Sequence, residues 1–362
     1  MKQYDSNLYH KTVRELLAIS RAVADRPDFV QGAGGNTSAK AFDGLMAIKA
    51  SGFELRQLDT NSGYAFVESA SVVDYFSSID LGALAEATDY EAESGALVRL
   101  HTITLDEWPA ARPSMETGFH SILDRYVIHT HSVYANLINC QADADQALQK
   151  FNLTSGLEAV MVPYLNPGFW LTTAIQQQLE AAKVNGDPEP KVFFLQNHGI
   201  IVTANTVDEV IALHRDINSA LCAYYELLPS QYPIAELVPT DHSEVWHSGS
   251  EFVSDFFKQT DGVDAAYFEA NVLFPDQTVF FNGNFSFDAA QLNKIMVDQQ
   301  TGKVTYRTNY REARTIDETL SAYLYIRHQL RFLGLEPRFL QPEDLDYINN
   351  MESERFRKSL LK

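Results

Sequence analysis

Three imidazoles and one carboxylate are the groups in this chain whose types and spacing could do chemistry. His129 and His131 stand two residues apart in Ile128-His129-Thr130-His131, directly behind the β-branched and aromatic run Tyr126-Val127-Ile128. A strand turns alternate side chains to one face, so both rings would point the same way, and two imidazoles on one face can grip one cation. The best third candidate is His198, where Asn197-His198-Gly199 punctuates two apolar runs and reads as a hairpin tip that presents the ring outward. Three histidines with one open coordination position are the pattern of a catalytic zinc site. Upstream, Ser114 is placed to cap a helix running through His120 and Leu123, which puts Glu116 in its first turn. An acid there also complements the helix dipole without any catalytic role, and a lone His-x-His is more often structural than metallic. What gives the pattern weight is the company these residues keep.

The elements that must position them begin with a helix capped at Ser6 or Asn7, in which Val13, Leu16, Leu17, Ser20, Val23 and Ala24 recur on one face. It delivers the chain to Gly32-Ala33-Gly34-Gly35-Asn36-Thr37-Ser38, whose glycines let backbone N–H groups approach an anion closely. A dinucleotide fingerprint is excluded, because Thr37 stands where the third glycine belongs and no strand precedes the loop. Leu45 to Lys49 reads as a strand ending at Ser51-Gly52, and Ala65 to Val67 as the next. Lys49 could add charge to an anion site, although a lysine is usually solvated. The acidic segment between Ser69 and Leu97 reads as a structural insert. Further on, Tyr134 to Ile138 looks helical. Thr206-Val207-Asp208-Glu209 is a capping box that opens a helix with His214 and Cys222 as scaffold. Leu228-Pro229-Ser230 and Tyr232-Pro233 mark a break. Beyond it lie a helix near Ser250 to Phe257, an apolar run at Gln277 to Phe281, a hairpin around Gln300 to Lys303, and a capping box at Thr315-Ile316-Asp317-Glu318 expected to start a helix.

Taken in order, the Gly32–Ser38 loop, Ile48-Lys49-Ala50-Ser51-Gly52, Pro113-Ser114-Met115-Glu116, His129-Thr130-His131 and Asn197-His198-Gly199 resemble the class II aldolase/adducin family. That resemblance implies an α/β fold: an α/β/α layered domain over residues 1–228 with a central, mainly antiparallel sheet. Residues 229–362 would be an α+β extension like that in the aldolase part of long rhamnulose-phosphate aldolase fusions, with no counterpart of the fused dehydrogenase half. It implies a zinc-dependent aldolase, or one using another divalent metal, acting on a ketose 1-phosphate or related sugar acid through a metal-stabilised enediolate. His129, His131 and His198 would be the metal ligands and Glu116 the catalytic acid/base, with Phe119 and Tyr126 as candidates for an apolar wall around its carboxylate. Gly35, Asn36, Ser51, Gly52 and Ser114 match the phosphate-binding positions. Met115 departs from the second serine of short aldolases, which removes one hydroxyl donor. The same metal site serves 4-epimerases, dehydratases and decarboxylases, and an inactive adducin-like interaction protein is the alternative of another class. Members form tetramers with sites at subunit contacts, so a homo-oligomer is expected.

Composition sets the outer bounds. The 362 residues are 45% hydrophobic, ample for a buried core, and carry a net charge of −20, which argues against nucleic acid or an anionic membrane surface as a partner. Cys140 and Cys222 are too few for a disulfide framework. The N-terminus has no signal-peptide core and the tail at 352–362 is short and of mixed charge, so a cytoplasmic protein is expected.

Overall fold

The computed structural model describes residues 6–84, 88–105, 108, 110–288 and 290–351; the 352–362 tail therefore lies outside the described residues. Its centre is an eight-stranded sheet built from β1 (Asn36–Lys40), β2 (Leu45–Lys49), β3 (Tyr64–Glu68), β4 (Thr102–Ile103), β5 (Tyr126–Thr130), β6 (Val160–Val162), β7 (Val192–Leu195) and β8 (Gly199–Ala204). The strand order is β4-β3-β2-β1-β5-β8-β7-β6, antiparallel throughout except for the β6–β7 pair. This matches the expected α/β architecture with a mainly antiparallel sheet.

Both faces of the sheet are covered, and period two decides which side chain goes where. On β5, Tyr126 and Ile128 enter the core beneath the helices Ser6–Ala24 and Val207–Tyr224. Val127 points the other way, into a cluster with Phe119, Phe193 and Ile201 beneath the helices Thr117–Ile122 and Phe169–Asn185. His129 shares the face of Val127, with its ring centroid 5.8 Å from that of Phe119. Tyr126 is therefore turned away from the histidines and walls the opposite layer instead.

The chain after residue 228 adds a second sheet, β9 (Leu237–Pro239), β10 (Val245–Ser248), β11 (Phe285–Ser286), β12 (Ile295–Asp298) and β13 (Lys303–Arg307), in the order β11-β12-β13-β10-β9. The hairpin expected near Gln300 is the β12–β13 pair. Leu320, Tyr323 and Ile326, on the long helix Tyr310–Phe332, enter the same core as Val13 and Ile217.

One local expectation changes. The helix does not start at Thr315: Asn309 caps it, accepting from the Glu312 N–H at 3.0 Å, and Thr315 to Glu318 are buried within it. Asn309 with Glu312 offers the same cap-plus-acid spacing as Thr315 with Glu318, and the earlier pair prevails. The apolar run at Gln277 forms most of a helix over Pro275–Phe280, whose first turn Pro275 presets. No helix among the described residues is long and apolar enough to cross a membrane.

Candidate metal centre and active site

β5 ends at Thr130, and its pleat brings the rings of His129 and His131 together while Thr130 faces the opposite layer, where its hydroxyl meets His214 Nε2 at 2.9 Å. The β7–β8 hairpin supplies His198. Asn197 adopts a left-handed φ of 54°, a conformation asparagine tolerates well, and its side chain bonds the Leu273 carbonyl at 2.8 Å and the Arg338 carbonyl at 2.9 Å. The tip thus turns inward, and His198 is buried instead of projecting outward as the hairpin reading expected. The three ring centroids stand 4.9 to 5.1 Å apart, and one nitrogen from each ring lies within 4.8 Å of the others, a group that could hold a metal ion.

Glu116 closes this group. The helix begins two residues later than the capping reading placed it, at Thr117, so Glu116 occupies the N-cap position and the Ser114 hydroxyl accepts from the Glu116 N–H at 3.3 Å. The side chain is thereby released from capping and aimed inward. Its Oε2 lies 3.7 Å from His129 Nε2 and its Oε1 lies 3.7 Å from His198 Nε2. Asn36 Nδ2 donates to Oε2 at 2.5 Å. The amide is oriented in turn by His120 Nε2, which donates to Asn36 Oδ1, while His120 Nδ1 pairs with the Ser38 hydroxyl at 2.7 Å. His120 is thus a hydrogen-bonded support for Asn36.

Two buried atoms at the centre have no hydrogen-bond partner: His129 Nε2 and Glu116 Oε1. Such orphans are costly in a protein interior unless something else engages them. His129 Nδ1 already donates to the Ile200 carbonyl at 3.1 Å, so its Nε2 carries a free lone pair. The three imidazoles therefore fit a divalent cation, with the Glu116 carboxylate beside them. Protonation agrees with this. Burial lowers His129 to about 4 and His198 to about 3, against the pull of Glu116. Burial pushes Glu116 up, but His129, His198 and the Asn36 amide together hold it at about 2. At neutral pH the carboxylate is ionised and the two rings are neutral, the states a metal requires.

Beside this centre is a cavity of about 50 Å³ lined by Gly35, Asn36, Ser51, Gly52 and Ser114, all five of the expected anion-binding residues, together with Glu116, His131 and His198. Gly35 has φ +65°, and a Cβ there would lie 2.8 Å from the His129 carbonyl, so only glycine lets the loop pass β5. Lys49 also lines the cavity; contrary to the expectation of a solvated lysine it is buried, and its Nζ donates to the Ala33 carbonyl at 3.2 Å. Met115 sits on the wall. A larger cavity of about 510 Å³ shares Ser51, Ser114 and Met115 and is walled by Glu91, Val98 and Gly168. The segment read as an insert thus borders the site: Glu91 accepts the Phe169 N–H at 2.8 Å, and burial pushes its carboxyl up to about 7.

One residue at the centre had no signal in the sequence. Asp276 lines the same small cavity, and its Oδ2 accepts from His131 Nδ1 at 2.8 Å. Nothing in the spacing around Phe274-Pro275-Asp276 marks it, since its partner lies 145 residues away.

No curated protein matches the sequence. Among solved structures, the chain is similar to the N-terminal class II aldolase domain of a conserved protein from Thermoplasma acidophilum (22% identity, 62% of this chain and 96% of that one, TM-score 0.46). It is also similar to a sugar-phosphate aldolase from Thermotoga maritima (12%, 60% and 95%, TM-score 0.41) and to L-fuculose-1-phosphate aldolase from Thermus thermophilus (13%, 58% and 93%, TM-score 0.35). These likenesses are too distant to bear on substrate. Residues 14–225, more than half of the chain, match the Class II Aldolase and Adducin N-terminal domain, and the protein belongs to that family.

Proposed function

We propose that the chain is a divalent-metal-dependent lyase of the aldolase type, cleaving or forming a carbon–carbon bond in a phosphorylated ketose or related sugar acid. The family contains enzymes and the non-enzymatic adducins, and one observation favours the enzyme: His129 Nε2 and Glu116 Oε1, both buried and without hydrogen-bond partners, converge on the space framed by the three rings. His129, His131 and His198 would hold zinc or a similar cation, which when bound supplies Lewis-acid stabilisation of substrate oxygens that gain charge. Gly35, Asn36, Ser51, Gly52 and Ser114 would orient the substrate's anionic group, with Lys49 as the nearby cation. Glu116 would move the proton at the carbon beside the carbonyl, and the Asn36–His120–Ser38 chain, which holds its carboxylate in one orientation, supports that role. By the family resemblance the working form is a homo-oligomer, which light scattering would find as a tetramer; a monomer with full activity would count against it.

The test is a panel of phosphorylated ketoses and 3-oxo acids, assayed with zinc-loaded protein. About one metal per chain, lost in His198→Ala, and aldehyde release from a phosphorylated ketose are expected. Turnover confined to 3-oxo acids would reassign the reaction to decarboxylation, and a wild-type chain that retains no metal would overturn the reading.

A further inference from the structure

We propose that Asp276 is a positioning residue of the metal centre: it fixes the ring of His131 so that Nε2 faces the cation. The inference rests on the metal-site reading above and extends it to a residue outside the 14–225 family match.

A neutral imidazole has one N–H and one lone pair, and an ionised carboxylate only accepts. With Asp276 Oδ2 at 2.8 Å from His131 Nδ1, the proton sits on Nδ1 and the lone pair is left on Nε2. His129 obtains the same tautomer by another route, donating from Nδ1 to the Ile200 carbonyl across the β5–β8 ladder. His131 lies just past the end of β5, where no ladder carbonyl is matched to it. A carboxylate from elsewhere in the chain takes that place. Metal-bound histidines commonly carry such a carboxylate on the second nitrogen, which fixes ring orientation and raises ligand basicity.

Asp276 is held for this task. It is 3% exposed and sits in the first turn of the helix opened by Pro275. The next residue anchors the segment: Gln277 Oε1 accepts from the Leu273 N–H at 3.0 Å, and its Nε2 donates to the Phe268 carbonyl at 3.0 Å. From the other side Gly34 packs directly on the pair, since a Cβ there would lie 2.7 Å from His131 Nδ1 and 2.8 Å from Asp276 Oδ2. The His–Asp contact is therefore packed by Gly34 on one side, while the Gln277 anchor fixes the segment that carries the acid. The nitrogens close enough to share one ion come from His129, His131 and His198 and do not include an Asp276 oxygen, which agrees with a role through His131.

The test uses the full chain, with Asp276→Asn keeping an acceptor oxygen and Asp276→Ala removing it. Zinc affinity, measured by competition with a chromophoric chelator, is expected to fall in Asp276→Ala by roughly 10- to 100-fold, and less in Asp276→Asn. Ring-nitrogen NMR of the metal-free protein at pH 8 should show the Nδ1–H tautomer for His131 in the wild type and its loss in Asp276→Ala, a change that a merely structural residue would not produce. A folded Asp276→Ala with wild-type zinc affinity, while the wild type binds zinc, would overturn this inference alone. A wild type that binds no zinc would overturn the metal reading and this inference with it. Should Asp276→Ala fail to fold, Asp276→Asn and the wild-type tautomer decide, and an Nε2–H tautomer in the wild type would refute the proposal.

Discussion

His214 offers a measurement of how firmly the layer behind the site is buried. It is 2% exposed, packs edge-on against Phe29 with ring centroids 4.9 Å apart, and holds the hydroxyl of Thr130, the residue between two of the three candidate ligands. Burial, with a smaller push from the Arg26 guanidinium, lowers its pKa to about 3. In the unfolded chain a histidine titrates near 6.5. Between those values the unfolded state binds the proton and the folded state does not, so the contribution is complete above pH 6.5 and is lost as pH falls toward 3. From pH 7.5 to 5.0 this one ring should cost the fold about 2 kcal/mol, following a slope of about 1.4 kcal/mol per unit once below 6.5. His214→Gln is neutral throughout that window. Urea unfolding of metal-free wild type and variant at both pH values isolates the residue, because every other titrating group contributes to both proteins and cancels. The variant should be the less stable at pH 7.5, and the gap should shrink by about 2 kcal/mol at pH 5.0. A gap that does not change with pH would mean that His214 titrates normally in the folded protein, and the buried Thr130 contact would have to be abandoned.

Glu116→Gln keeps the shape of the side chain and an oxygen for the Asn36 amide, so metal content should persist while turnover falls by at least ~10²-fold; near wild-type turnover would return Glu116 to a helix-terminus charge. Gly34→Ala drives a methyl into the His131–Asp276 contact and should destabilise by about 1–3 kcal/mol, as overpacking does, and weaken zinc binding with it. Chemical denaturation and chelator competition check both effects, with Gly95→Ala as the control, since that helical glycine has no left-handed φ and a Cβ there meets only the end of the Arg99 side chain at 3.4 Å; equal behaviour of the two variants would refute the close packing.

The part of the site that follows from local periodicity was legible in the sequence. His129 and His131 alternate with Thr130 at the end of a strand, so their shared face needs only period two, and Asn197-His198-Gly199 marks a hairpin tip by turn chemistry, although its inward turn depends on the distant Leu273 and Arg338. Register decides the rest. The same alternation that puts His129 and Val127 on one face excludes Tyr126 from it, so a wall position for Tyr126 beside Glu116 contradicts the rule that placed the histidines. Lys49 was open between a charge at the anion site and the commoner solvated fate, and burial of this strand end, with the Ala33 carbonyl among its partners, decides against the second. The start of the Tyr310–Phe332 helix was ambiguous because Asn309 with Glu312 and Thr315 with Glu318 carry the same signal, and tertiary packing of Thr315 against Gly32 chooses between them. Asp276 had no local signal at all.

The contacts that sequence could not show share a feature. Each ties a residue after 228 to a loop of the candidate site: Glu318 Oε2 accepts the Gly32 N–H at 2.7 Å, Arg311 Nη2 donates to the Gly52 carbonyl at 2.7 Å, Asp276 takes His131 Nδ1, and Arg338 Nη1 donates to Asn197 Oδ1 at 2.8 Å. Loops that carry function are the segments with the fewest internal constraints, and ordering each of their residues costs roughly 1–2 kcal/mol of backbone entropy. Glycine-rich loops such as Gly32 to Gly35 cost the most, since glycine has the most freedom to lose. Two of the four ties join a charged group to a backbone atom and the other two join a charged group to a polar side chain. Contacts of that kind are stronger than neutral hydrogen bonds and fix direction as well as position. Glu318 is itself steadied by Arg56 at 3.2 Å and Arg314 at 2.9 Å, so the loop is held by a network and not by one flexible side chain. The region beyond the family match therefore acts as the rear wall of the site, and changes there should be felt first in the geometry of the metal ligands and the anion loop.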